Sequence, residues 1–125
     1  MAPESNRMST LSELTKQILA FRDERDWKQF HSPRNLAAAL AIESGELQEL
    51  MLWKTDGEVQ ELMASSQGKK KLSAEIADIL IFGLLFCDAV AIDPGEAIRE
   101  KLILNAEKYP VSLSRNNATK YTDLK

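Results

Sequence analysis

Two pairs of carboxylates stand at helical spacing in strongly apolar surroundings: Glu43-x-x-Glu46 within residues 36–47, and Glu75-x-x-Asp78 just before Ile79-Leu80-Ile81-Phe82. Three residues apart, the two side chains of a pair project from nearly the same side of a helix. Glu43 also takes a place in the stripe Leu36, Leu40, Glu43, Leu47, Leu50, which has the spacing of a core-facing helix side. An ionised carboxylate buried by itself is costly, and several held together repel one another. A hard cation removes both problems, and oxygen ligands without His or Cys select Mg2+, Mn2+ or Ca2+ over zinc. The pairs therefore point to a Mg2+ site, with Mn2+ as the alternative ion, between two facing helices, its ligands being Glu43, Glu46, Glu75 and Asp78. One of the four acids is suited to act as a general base, Glu46 first and Glu43 a close second. Glutamates at this spacing are also common on solvated helix faces, the place assigned to Glu49 and Glu61. Repetition on two successive apolar helices is what favours a metal.

The elements that must position these acids follow from the helix signals. Thr10-x-x-Glu13 is a capping box that starts a first helix near Leu11, ending near Asp26. A connector with two aromatics and the only histidine follows. Ser32-Pro33, an N-cap with proline at the first helical position, then starts a second helix to about Lys54. Gly45, between the first two acids, reads as close packing of a neighbouring helix in preference to room for a ligand. Thr55-Asp56-Gly57 reads as a turn, 58–64 as a short helix and 65–71 as a polar, basic loop. The third helix spans 72 to about 90 and is apolar on most sides after Asp78, which places it centrally or in a subunit interface. Asp93-Pro94-Gly95-Glu96 starts a fourth helix, which Pro110 ends after Tyr109. Residues 1–9 read as a loose tail, and 111–125 as a polar tail that is disordered or extended by itself. The expectation is an all-α, up-down four-helix bundle in a single domain, 1–125.

With 125 residues, 44% of them hydrophobic, the chain suits one domain with one modest core. The net charge of −3 argues against a polymeric nucleic-acid partner, but a single nucleotide remains compatible because a bound metal balances its charge. Cys87, the only cysteine, lies in an apolar run and reads as a buried, inert thiol in a reducing compartment. The start of the chain has no apolar signal core, and the longest apolar run, 79–87, is too short to cross a bilayer. A cytoplasmic protein without a membrane partner is expected. Trp27, Phe30 and Trp53 bracket the acid helix. They are either plain core or a place where a flat ligand such as a base stacks. His31 is suited to hydrogen-bond a base or a phosphate. Lys101, Asn105 and Lys108 form a polar stripe on the fourth helix, either a solvated face or a phosphate clamp. Arg115, Lys120 and Tyr121 stand in a tail with no core of its own to join. They read either as part of a free tail or as the completion of a nucleotide site on a neighbouring subunit.

The acid pairs, together with Arg25-Asp26-Trp27-Lys28-Gln29-Phe30-His31, Ser32-Pro33-Arg34-Asn35-Leu36, Trp53-Lys54 and Lys120-Tyr121-Thr122, resemble the MazG-like all-α nucleoside triphosphate pyrophosphohydrolases over residues 11–124, most closely the branch that acts on dCTP. The resemblance implies cleavage between the α and β phosphates of dCTP or a modified dCTP, giving the monophosphate and pyrophosphate. It implies Mg2+ on Glu43, Glu46, Glu75 and Asp78, base contact around Trp27, His31, Trp53 and Phe82, and phosphate contact by Lys101 and Asn105. It also implies a homotetramer of tightly paired dimers. In one departure, Phe82 stands where the animal enzymes are expected to carry tyrosine, so stacking survives, a hydroxyl is lost and base preference stays open. The alternatives are a hydrolase of the same superfamily acting on dUTP or phosphoribosyl-ATP, and a helical interaction module without catalysis.

Overall fold

The computed structural model describes residues 9–125, and every regular element among them is helical. Six α-helices follow one another: α1 (Leu11–Glu24), α2 (Pro33–Glu49), α3 (Asp56–Ala64), α4 (Ser66–Ala89), α5 (Pro94–Lys108) and α6 (Val111–Ser114). The first eight residues of the expected N-terminal tail lie outside the described residues. Contacts divide the chain into two compact units, the first ending at Ala91 and the second running from Ile92 to Lys125.

The expected caps start the expected helices. Thr10 accepts the Glu13 N–H at 3.1 Å, Ser32 accepts the Asn35 N–H at 3.2 Å, and Asp93 accepts the N–H groups of Gly95 and Glu96 at 2.8 and 3.2 Å. Each satisfies backbone donors that the first turn leaves unpaired. Three boundaries differ from the sequence reading. The second helix stops at Glu49, five residues early, because Trp53 takes the left-handed conformation (φ 65°) and Thr55 with Glu58 forms a reciprocal capping box that begins α3. The supposed basic loop 65–71 is instead the first turns of α4: Ser65 accepts the Gly68 N–H at 2.9 Å, and lysines are good helix formers. The C-terminal tail is not extended throughout. It forms α6 and a 3-10 turn at Tyr121–Asp123.

In the first unit α2 packs along α4, with α3 and α1 also against α4. The α2–α4 pairing is antiparallel: Leu40 lies opposite Gly83, while Glu43 approaches Glu75 and Asp78. This pairing brings the two acid pairs together. Leu36 (2% exposed) and Leu85 (4%) are the fully buried apolar residues among those described. Many large apolar side chains stay open to solvent in the single chain, including Phe21, Ile42, Ile76 and Leu80. Cys87 is a free thiol and half-buried, more open than the sequence reading has it. In the second unit α5 exposes Ile98, Leu102, Ile103 and Leu104. No described helix is long and apolar enough to cross a membrane.

Candidate functional site

Glu43 on α2 and Glu75 and Asp78 on α4 each offer one carboxylate oxygen, and the three oxygens lie within 4.8 Å of one another. Glu43 and Glu75 are half-buried, and one oxygen of each, Oε2, is buried with no hydrogen-bond partner among the described residues. Glu46, one turn along α2, is exposed and stands beside this trio as the neighbour of both Glu43 and Glu75. The crowding leaves its mark on acidity. The Glu43 carboxyl is pushed up to about 7, chiefly by a hydrogen bond shared with Glu46, then by burial and by the charges of Glu46, Asp78 and Glu75. Glu75 is raised too, first by burial and then by the Glu46 charge. Orphaned buried oxygens, mutual repulsion and an all-oxygen donor set fit a hard divalent cation held by Glu43, Glu75 and Asp78, with Glu46 within reach as a fourth ligand or as a base. A Cβ on Gly45 would meet nothing within 4 Å. The expected close helix packing at this glycine is therefore absent within the chain, and the space beside the acids is open.

Asp78 also lines a second feature. A cleft of about 620 Å³ runs between α1 and α4, walled by Leu14, Ile18, Leu80, Ile81, Leu84 and Leu85, and it contains Trp27, His31 and Phe82. Trp27 packs edge-on against Phe21 at 5.8 Å between ring centres, with the His31 ring tilted 6.4 Å from it. The Arg25 guanidinium covers the Phe21 ring at 3.6 Å. The His31 Nδ1 atom is buried and has no partner among the described residues. Three expected base-contacting residues, Trp27, His31 and Phe82, thus share one apolar cleft whose wall includes a member of the acid cluster.

Trp53 does not join them. It is 92% exposed in the turn after α2 and borders a shallow depression with Gly45, Gln48, Glu49, Met51 and Leu52. Trp27 and Trp53 line separate depressions of the chain. Phe30, the other connector aromatic, is also largely exposed. The remaining expected contacts belong to the second unit. Lys101 is exposed and Asn105 half-buried on α5, Arg115 and Lys120 are exposed, and Tyr121 packs edge-on against Tyr109 at 5.9 Å between centres. Lys108, the third residue of that polar stripe, lies over the Tyr121 ring at 4.7 Å.

The sequence reading missed Arg22. It is 7% exposed and lines the cleft, its Nε donating to Asp23 Oδ1 at 2.8 Å and its Nη1 to Asp88 Oδ2 at 3.2 Å, which ties α1 to the end of α4. A signal was present: Arg22 follows Ile18 by four residues, so a charge stands on an apolar stripe there, as at Glu43.

A model of the MazG-like family matches residues 38–124. The chain is 43% identical over 115 residues to a protein of Bos taurus named dCTP pyrophosphatase 1 and 40% identical to the Homo sapiens protein of that name, covering 92% of this chain and 68% of each relative. A solved structure, a pyrophosphatase from Archaeoglobus fulgidus, superposes with a TM-score of 0.74 at 37% identity, covering 84% of this chain and 96% of that one.

Proposed function

Because this chain belongs to the MazG-like family, we propose that it is a nucleoside triphosphate pyrophosphatase that hydrolyses dCTP or a modified dCTP to the monophosphate and pyrophosphate. The observation that carries this reading is the double role of Asp78, which belongs both to the trio of convergent carboxylates and to the wall of the aromatic cleft. A base in the cleft then has its phosphates at the acids.

Trp27 and Phe82 offer ring faces to the base, and His31 Nδ1, buried and unpartnered, offers it a hydrogen bond. Phe82 has no hydroxyl, so discrimination between bases falls to the polar groups of the cleft. Glu43, Glu75 and Asp78 would hold a divalent cation, Mg2+ or Mn2+, with Glu46 as the neighbouring fourth acid. When bound, the cation offsets charge on the phosphates and makes them better electrophiles. Glu46 is exposed and free to take the proton of an attacking water as the α–β bridge breaks, and pyrophosphate leaves. Lys101 and Asn105 are assigned to phosphate contact, Arg115, Lys120 and Tyr121 complete the nucleotide site of a neighbouring subunit, and Trp53 adds a further stacking face from the exposed end of α2.

The same reading includes self-association as a dimer or tetramer, supported by the small fully buried core beside many open apolar side chains on α1, α4 and α5. The experiment is a pyrophosphate-release assay across the canonical deoxynucleoside and nucleoside triphosphates, with and without Mg2+. The expected result is Mg2+-dependent release with dCTP or its modified forms preferred, abolished in Asp78→Ala with the helical circular dichroism intact. No release from any nucleotide would instead identify a helical interaction module.

A further inference from the structure

Along α4 the residues Lys71, Glu75, Asp78 and Phe82 follow one another about a turn apart, on one side of the helix. The row reads cation, acid, acid, aromatic. Its aromatic end lies in the cleft with Trp27 and His31, its middle holds the convergent carboxylates, and its cationic end does not line the cleft. From Lys71 to Phe82 is eleven residues, or about 16 Å at 1.5 Å per residue. That is comparable to an extended nucleoside triphosphate. On the facing helix Glu43 meets Glu75 and Asp78, and Glu46 and Glu49 add negative charge near Glu75, so positive charge on this stretch of the groove comes from α4. Lys71 is exposed and has no ion pair among the described residues, although Glu75 stands one turn away.

We propose that Lys71 receives the pyrophosphate end of the substrate, so that the nucleotide lies along α4 with its base at Phe82 and its terminal phosphates at Lys71. This rests on the nucleotide reading of the acids and the cleft. The direction follows from charge. The acids occupy the middle of the row, where they would hold a cation to offset phosphate charge, and Lys71 is the one position of the row that offers positive charge directly. An ammonium suits a phosphate as a point charge that needs no fixed geometry. Lys71 holds both the β and γ groups before cleavage and the leaving pyrophosphate after it, and it makes no contact with the nucleoside monophosphate.

That asymmetry supplies the test. Product inhibition by inorganic pyrophosphate and by the nucleoside monophosphate is measured for the wild type, Lys71→Ala, Lys71→Arg and Lys70→Ala, and pyrophosphate binding to the Mg2+-loaded protein is followed by calorimetry. Lys71→Ala is expected to weaken pyrophosphate binding and raise KM by about tenfold or more, the scale of one lost charge-assisted hydrogen bond. Monophosphate inhibition should stay unchanged, Lys71→Arg should recover most of the loss, and Lys70→Ala should resemble wild type. Wild-type pyrophosphate inhibition in Lys71→Ala would overturn the assignment, and a loss confined to the monophosphate would reverse the orientation and overturn it equally. An equal loss for both products would reduce Lys71 to a structural role. A wild-type protein inactive on every nucleotide would instead remove the underlying function, a result distinct from all of these.

Discussion

Metal binding at the acid cluster should release protons, and the amount can be worked from the geometry. Glu43 is held near 7 because it shares a hydrogen bond with Glu46 and faces the charges of Asp78 and Glu75, all conditions that favour its protonated form. A bound divalent cation needs the carboxylate ionised, so binding displaces that proton. With a pKa of about 7, single-site titration gives release from Glu43 of about 0.9 proton per ion at pH 6, about 0.5 at pH 7 and about 0.1 at pH 8. Glu75, also raised, adds to the release at the acid end. Calorimetric titration with Mn2+ or Mg2+ in buffers of differing ionisation enthalpy counts the protons directly. Glu43→Gln removes the titrating group and should abolish most of the pH dependence of the count. Release that is absent at pH 6 in the wild type, or unchanged in Glu43→Gln, would refute the reasoning. The same linkage fixes a stability trend for the metal-free protein. Because the folded-state value of Glu43, about 7, lies above its ordinary 4.5, the native state binds more protons between those values. This contribution is fully present below about 4.5 and is lost as the pH rises through about 7. The metal-free Tm should therefore fall from pH 5 to pH 7.5, and added Mg2+ should restore it most at the upper end.

Gly68→Ala should destabilise the chain by about 1–3 kcal/mol in urea unfolding, since a Cβ there would collide with the Leu62 carbonyl oxygen and the Ser65 hydroxyl. Gly45→Ala, with open space around it, should be neutral or stabilising by up to about 1 kcal/mol. Sedimentation at micromolar concentration should give a dimer or tetramer, and an active monomer would overturn the reading of the open apolar faces. Removing residues 113–125 should raise KM by about tenfold, the effect of losing phosphate contacts from Arg115 and Lys120; wild-type kinetics would make the segment only a tail.

The acid pairs, the caps and the all-helical class were legible in the sequence because each is a local property. Thr10, Ser32 and Asp93 cap within three residues of themselves, and carboxylates three apart share a helix side whatever the helix packs against. The aromatic and histidine run before Ser32 was legible as a candidate ligand site by composition alone. The two ends of α2 and α4 were less so. A polar Ser-Gly-Lys run has both loop composition and helix propensity, and only the Ser65 cap and the contact of α3 with α4 decided for helix. Trp53 shows the same competition, since the Thr55–Glu58 box ended α2 before the apolar pattern did. What the tertiary structure alone decided is distance between elements. The antiparallel pairing of α2 with α4 sets Glu43 against Glu75 and Asp78 and leaves Glu46 at the edge. The packing of α1 on α4 makes the cleft that gathers Trp27, His31 and Phe82 but excludes Trp53. Arg22 and Asp88, 66 residues apart, become partners for the same reason. Spacing along a chain determines which side chains share a face, whereas which faces meet is a long-range choice made by packing, and the chemistry here depends on that choice.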